Sequence, residues 1–247
     1  LILNFIFYRI LTDNLNSNTF GELIYLFSIS LSIAILSNLG SDTIVSKLHL
    51  KNKGDDFFNG NISYNEFHII SLIVAIISSP IISVIYGITN FTHIFVIFFV
   101  SLTLTNARVF GSNFLSTKNF FFYYFFSVFG FLFFVVILTF FSSSLFLIFL
   151  ISSILMNIFL AITNYKYNFL SLTIIKDLKK INLQKIILIL SKTYTLIIIL
   201  FLAASHELLN QYWLNHNFDY ILSGQVAILF RIASLTVIGL AALNLTA

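Results

Sequence analysis

Read from one end to the other, the chain alternates long apolar stretches with short polar interruptions. Eight stretches stand out: Leu1–Leu11, Phe20 to about Ile44, Phe67–Gly87, Thr92–Thr117, Phe120–Phe141, Leu145–Tyr165, Ile186–Leu209 and Ile221–Thr246. Apart from the short first one, they approach or exceed the ~20 residues with which an α-helix crosses ~30 Å of hydrocarbon. In hydrocarbon every backbone N–H and C=O must be satisfied within a helix or a closed barrel. A barrel strand would alternate apolar and polar positions over about 10 residues. The runs here are unbroken, so the pattern predicts eight helical spans.

Composition sharpens this reading. Hydrophobic residues make up 59% of the 247 and charged residues 9%, against about 25% charged in a soluble domain. Water is the wrong solvent for such a surface. The single proline, Pro80, agrees with long helices, because proline removes an intrahelical hydrogen bond. The 31 phenylalanines reflect base-composition bias in the gene as much as function. No cysteine is present, which removes thiolate ligands, thiol nucleophiles and disulfides. Leu1 and Ala247 both sit inside apolar runs. The expectation is a chain truncated at both ends, without a cleavable signal peptide.

Charge sets the topology. Lys47, Lys51 and Lys53 follow the second span and Lys118 the fourth. Lys166, Lys176, Lys179, Lys180 and Lys185 follow the sixth. The alternate connections, 12–19, 88–91, 142–144 and 210–220, contain no Lys or Arg. Cytoplasmic loops retain basic residues, so the N-terminus and the even-numbered span ends are expected in the cytoplasm. The net charge of +4 is thus a topology signal and does not point to nucleic acid. Within 166–185, Leu170, Ile174, Leu178 and Ile181 recur at helical spacing opposite Lys176, Lys179 and Lys180. A basic amphipathic helix on anionic membrane lipids is expected there, with a solvated loop as the plainer alternative. The expected organisation is a six-helix lobe over 1–165, a basic connector over 166–185, and the first two helices of a second, incomplete lobe over 186–247.

Ionisable groups inside spans are costly and usually face protein or a water-filled cavity. Arg108 lies in the fourth span, on a stripe with Ser101, Thr105, Ser112 and Ser116. That stripe either faces an aqueous cavity or packs helices while Arg108 snorkels. Arg231 stands near the centre of the eighth span, sharing a face with Ser223, Ala227 and Ser234. Lys192 and Arg9 lie nearer span ends, where pathway and anchoring roles compete. These four cations are the candidate substrate path. Glu207, Asp42 and His206 are the candidate ion-coupling residues, since histidine titrates near neutral pH. Ser153, Asn157, Ala161 and Asn164 share a face of the sixth span, read as helix packing.

Enzymatic chemistry finds little support. His206-Glu207-Leu208-Leu209-Asn210 lacks the second histidine of a zinc-peptidase helix. No G-x-S-x-G elbow or phosphate-cradling glycine loop occurs. Asp55 and Asp56, on a polar loop, are the only adjacent carboxylates. No metal or cofactor is implied.

Several signals carry a family likeness. Arg9-Ile10-Leu11 precedes a short loop and Phe20-Gly21, with Ser28 and Leu39-Gly40 in the second span. Asp219, Gly224, Ala227 and Arg231 precede a small-residue run through Ala241 and Ala242. Together with the span order, this resembles the Wzx-like polysaccharide flippases of the MATE-like exporter superfamily. The resemblance implies an all-α, two-lobed fold in the bacterial inner membrane. It also implies translocation of an oligosaccharide linked to undecaprenyl diphosphate, for surface polysaccharide or O-antigen (lipopolysaccharide) synthesis. Polysaccharide polymerase machinery would then be a partner. The family has roughly twelve or more helices, so most of the second lobe is absent from this chain. A drug or metabolite exporter of the same superfamily and a membrane sugar-chain polymerase or ligase are the alternative readings.

Overall fold

The computed structural model describes residues 2–41, 44, 63–116, 118–167, 181–217, 222 and 226. Among them the regular elements are helices: α1 (Ile2–Asn14), α2 (Ser17–Ser37), α3 (Tyr64–Ile85), α4 (Phe91–Ser116), α5 (Phe120–Tyr124), a π-helical turn (Phe125–Phe129), α6 (Gly130–Thr139), α7 (Leu145–Tyr167) and α8 (Leu183–Asn217). Four of them, α2, α3, α4 and α7, are long and apolar enough to cross a membrane, and α5–α6 supplies a fifth if the bent pair is one span. The chain is a multi-span helical membrane protein.

The exposed surface has the character that solvent requires. Ile77, Ile81 and Ile85 on α3 are exposed, as are Ile151, Ile154, Ile158 and Ile162 on α7. Each set repeats at three or four residues, so each is a continuous apolar stripe. A row of bare isoleucines is unfavourable in water and ordinary against acyl chains. Several buried or half-buried hydroxyls are handled in the matching way: Ser30 donates to the Leu26 carbonyl, Ser79 to Ala75 and Thr163 to Phe159. Turned back on their own helices, these groups cost little in a dry environment.

At the centre lies α4, against which α2, α3, α5 and α7 pack; α8 packs on α2, and its Ile189 shares a buried cluster with Phe67 and Ile70 of α3 and Val109 of α4. Phe110 and Phe114 of α4, Phe126 of the π-helical turn and Phe131 of α6 are fully buried, with edge-to-face and stacked rings such as Phe110–Phe126 at 5.3 Å and Phe114–Phe126 at 5.8 Å. Such pairs add to area burial because ring quadrupoles attract in these orientations.

Helix ends follow local chemistry. Asn16 caps α2 by accepting from the Thr19 N–H. Ser63 and Glu66 form a reciprocal capping box at the start of α3. The second span, expected to reach Ile44, ends as a helix at Ser37, because Leu39 and Gly40 turn left-handed, with φ of 53° and 74°. Gly40 is needed there twice over. Its φ suits glycine, and a Cβ at this position would lie 2.9 Å from Leu196 Cδ1 of α8.

The fifth span also departs from expectation. Phe120–Phe141 reads as one helix, whereas the structure bends by 57° between Phe120–Ser127 and Gly130–Thr139. Gly130 explains the break. A Cβ there would sit 2.9 Å from the Phe125 carbonyl oxygen and 2.8 Å from its ring, so only glycine lets the π-helical turn close. The run read as the seventh span, Ile186–Leu209, lies within a longer helix. α8 runs through Asn217, absorbing most of the connection read as 210–220, and at 1.5 Å per residue is roughly 52 Å long. The amphipathic connector lies largely outside the described residues, as does most of the eighth span.

Candidate functional site

The polar groups of the bundle interior meet on one side of α4. At the start of α3, Tyr64 donates through its hydroxyl to the Val109 carbonyl at 3.0 Å and accepts from Asn113 Nδ2 at 2.5 Å. One turn on, His68, 3% exposed, places Nε2 2.8 Å from Asn106 Oδ1. Nε2 must be the donor, because a carbonyl oxygen faces it. Asn106 Nδ2 donates to Asn157 Oδ1 of α7 at 2.9 Å, and Asn157 Nδ2 donates to Thr103 Oγ1 at 3.0 Å and to the Ser153 carbonyl at 2.8 Å. The network therefore has one direction, from His68 through two amides to Thr103, and ties three helices together. In a low-dielectric interior such a satisfied chain is strong and rigid.

Beside this network opens a cleft of about 260 Å³, walled by Asn65, His68, Asn106, Asn157 and Asn164 and, on its apolar side, by Ile69, Leu72, Phe110, Leu160 and Ala161. It lies along α4 between α3 and α7. No carboxylate, lysine or arginine lines it.

An ion pair stands near one end of the network. Lys185 Nζ of α8 is 2.5 Å from Glu66 Oε1 of α3, at the same end of the bundle as Lys118 and Lys166, where Tyr167 meets Phe114 edge to face at 5.1 Å. At the opposite end, His93 Nε2 of α4 meets Glu22 Oε1 of α2 at 2.7 Å, and Tyr25 of α2 donates to the Tyr86 carbonyl at 3.4 Å.

The sequence-derived candidates fall in different places. Arg108 is half-buried on α4, two residues and about 200° of helical turn from Asn106, so it does not line the cleft. Its stripe companions Ser101, Thr105 and Ser112 are buried and donate to the Phe98, Ser101 and Val109 carbonyls of their own helix. Arg9 is exposed at the end away from the lysines and pairs with Asp13 one turn on, at 3.1 Å. Lys192 is exposed on α8. Glu207 and His206 belong to α8, with their side chains outside the described residues, and Asp42 and Arg231 lie outside them altogether. The described candidates Arg108, Arg9 and Lys192 are not brought together. Among the described residues no cluster of three or more His, Asp or Glu could hold a metal.

No protein family, curated protein or solved structure matches the chain.

Of the residues that do converge, His68, Asn106 and Asn113 carry no individual signal in the sequence, and Tyr64, near a span end, reads there only as one of the aromatics of an interfacial belt, whereas its hydroxyl joins the interior network. Asn157 and Asn164 were noted only as a packing face. Tyr64/His68 at i, i+4 and Asn106/Asn113 at i, i+7 each carry a same-face signal. Their meeting depends on how α3, α4 and α7 cross.

Proposed function

We propose that the protein moves a lipid-linked oligosaccharide, built on an undecaprenyl diphosphate carrier, across the bacterial inner membrane as a Wzx-like flippase of the MATE-like superfamily. In this reading residues 1–165 form the N-terminal lobe, 166–185 the basic connector and 186–247 the start of the second lobe. The N-terminus is cytoplasmic. One observation carries the reading: a single membrane-length helix, α4, bears an uncharged hydrogen-bonding cleft on one side and the half-buried Arg108 on the other. Both groups are expensive in hydrocarbon and fit a cargo with polar sugars and an anionic diphosphate. Guanidinium groups bind phosphate oxygens in a bidentate, charge-assisted manner. Arg108 lies four to five residues past the midpoint of α4, roughly 7 Å along its axis, toward the lysine-rich end from which such a cargo would load. Two lobes rocking against each other would expose the path alternately to each side.

Arg108→Ala and Arg231→Ala, made in the full-length protein, are expected to abolish surface polysaccharide while membrane levels of the protein hold. Wild-type polysaccharide in both variants overturns the proposal.

A further inference from the structure

We infer that the cleft between α3 and α7 is a binding subsite for one uncharged, polyhydroxylated ring of the cargo, distinct from whatever holds its anionic part. The inference rests on the flippase reading for the identity of the cargo, and on the cleft's own chemistry for the class of group it takes.

Three observations lead there. First, the lining is amide-rich and free of fixed charge: Asn65, Asn106, Asn157 and Asn164 surround His68. A diphosphate or acidic sugar would enter without a counter-ion and lose its hydration uncompensated. A neutral ring needs no counter-ion there: its hydroxyls can meet the amide side of the cleft, and its C–H faces the apolar side formed by Ile69, Leu72, Phe110 and Leu160. Second, the groups are pre-oriented. The chain from His68 to Thr103 fixes both central amides, yet uses only one Asn106 N–H, leaving the other to a ligand. Third, the size is selective. A volume of about 260 Å³ falls just below the 300–1,000 Å³ of sites that enclose drug-sized molecules, which suits a single ring, with the rest of the cargo lying outside the cleft.

Arg108 points away around α4, which separates the two kinds of recognition. Sugar identity would be read by amides on one side of the helix and charge by guanidinium on the other. Variation at Asn65 and Asn164 on the cleft wall would then change which sugar is accepted without changing the carrier.

The test uses purified full-length protein in nanodiscs and two probes: undecaprenyl diphosphate carrying a single N-acetylhexosamine, and bare undecaprenyl diphosphate. The wild type is expected to bind the glycosylated probe on the order of tenfold more tightly, the scale of one or two well-placed hydrogen bonds. Asn65→Leu with Asn164→Leu should erase that preference and leave bare-carrier affinity intact. Asn157→Ser, which keeps a hydroxyl in the cleft with little loss of packing, should give a partial loss and guards against misfolding of the leucine pair. Equal wild-type binding of both probes, or equal weakening of both by the variants, overturns the subsite and leaves the flippase reading standing. Failure to bind either probe overturns both. In a cysteine-free full-length background, Asn164→Cys should react with a water-soluble maleimide and be protected by the glycosylated probe. A cysteine inert under all conditions means that protein covers the cleft, and the inference falls.

Discussion

Lys185 Nζ and Glu66 Oε1 lie 2.5 Å apart, so the start of α8 is fastened to the start of α3 across 119 residues of chain. The carboxylate side chain is 6% exposed and the ammonium 24%. The same carboxylate also accepts the Ser63 backbone N–H in the capping box. One side chain therefore both starts a helix and docks another onto it.

Glu66 variants separate these two duties. Glu66→Gln keeps the capping geometry, since glutamine serves in that position, but leaves Lys185 unpaired. A loss of about 1–3 kcal/mol is expected in thermal or denaturant unfolding of the detergent-solubilised protein. Glu66→Ala should cost about 1 kcal/mol more by removing the cap. Lys185→Met combined with Glu66→Gln should be less harmful than the sum of the two single changes. Strict additivity would show that the pair contributes nothing.

Gly130→Ala should damage the break between α5 and α6. The added methyl meets a backbone oxygen, which cannot move aside as a side-chain tip can, and overpacking of this kind typically costs 1–3 kcal/mol. Gly87→Ala provides the contrast: its φ of 68° is strained but nothing lies within 4 Å, so about 1 kcal/mol is expected. Equal stability of the Gly130 variant and wild type would place the cause of the bend elsewhere.

His68→Leu removes the donor facing Asn106 Oδ1 and should destabilise by about 1–3 kcal/mol, the cost of an unsatisfied buried acceptor. The effect should be strongly non-additive with Asn106→Leu, because both residues belong to one network. A coupling below about 0.3 kcal/mol would mean that His68 and Asn106 act separately.

Arg9→Ala should scarcely change stability, since Arg9 and Asp13 are 71% and 55% exposed and exposed pairs contribute about 0–1 kcal/mol. Arg9 thus offers a clean functional probe. Lost polysaccharide at normal protein level would place it on the substrate path, and normal polysaccharide would leave it an interfacial anchor.

How far the sequence could be read depended on how local each decision was. The positions of α2, α3, α4 and α7, the helices long and apolar enough to cross a membrane, were legible because, in hydrocarbon, a helix must satisfy its own backbone, which leaves run length as the main variable. The ends of α2 and the bend before Gly130 were less so. Leu39-Gly40 marks a stop only once Leu196 is known to press on Gly40. Gly130 reads as an ordinary small residue until the ring and carbonyl of Phe125 close over it. For the site, attention went to charges, which announce themselves one at a time. The asparagines of α4 and α7 are unremarkable singly; two amides become a recognition surface only when two helices place them 2.9 Å apart.

Apolar runs were enough to give the solvent and the helical class, and the placement of lysines an expectation of sidedness, because those depend on what each segment meets by itself. The three-dimensional arrangement alone decided that His68, Asn106 and Asn157 form one directed network, that Arg108 turns away from it, and that Glu66 reaches α8. These are meetings between segments far apart in the chain, set by how helices cross, and no single segment carries that information.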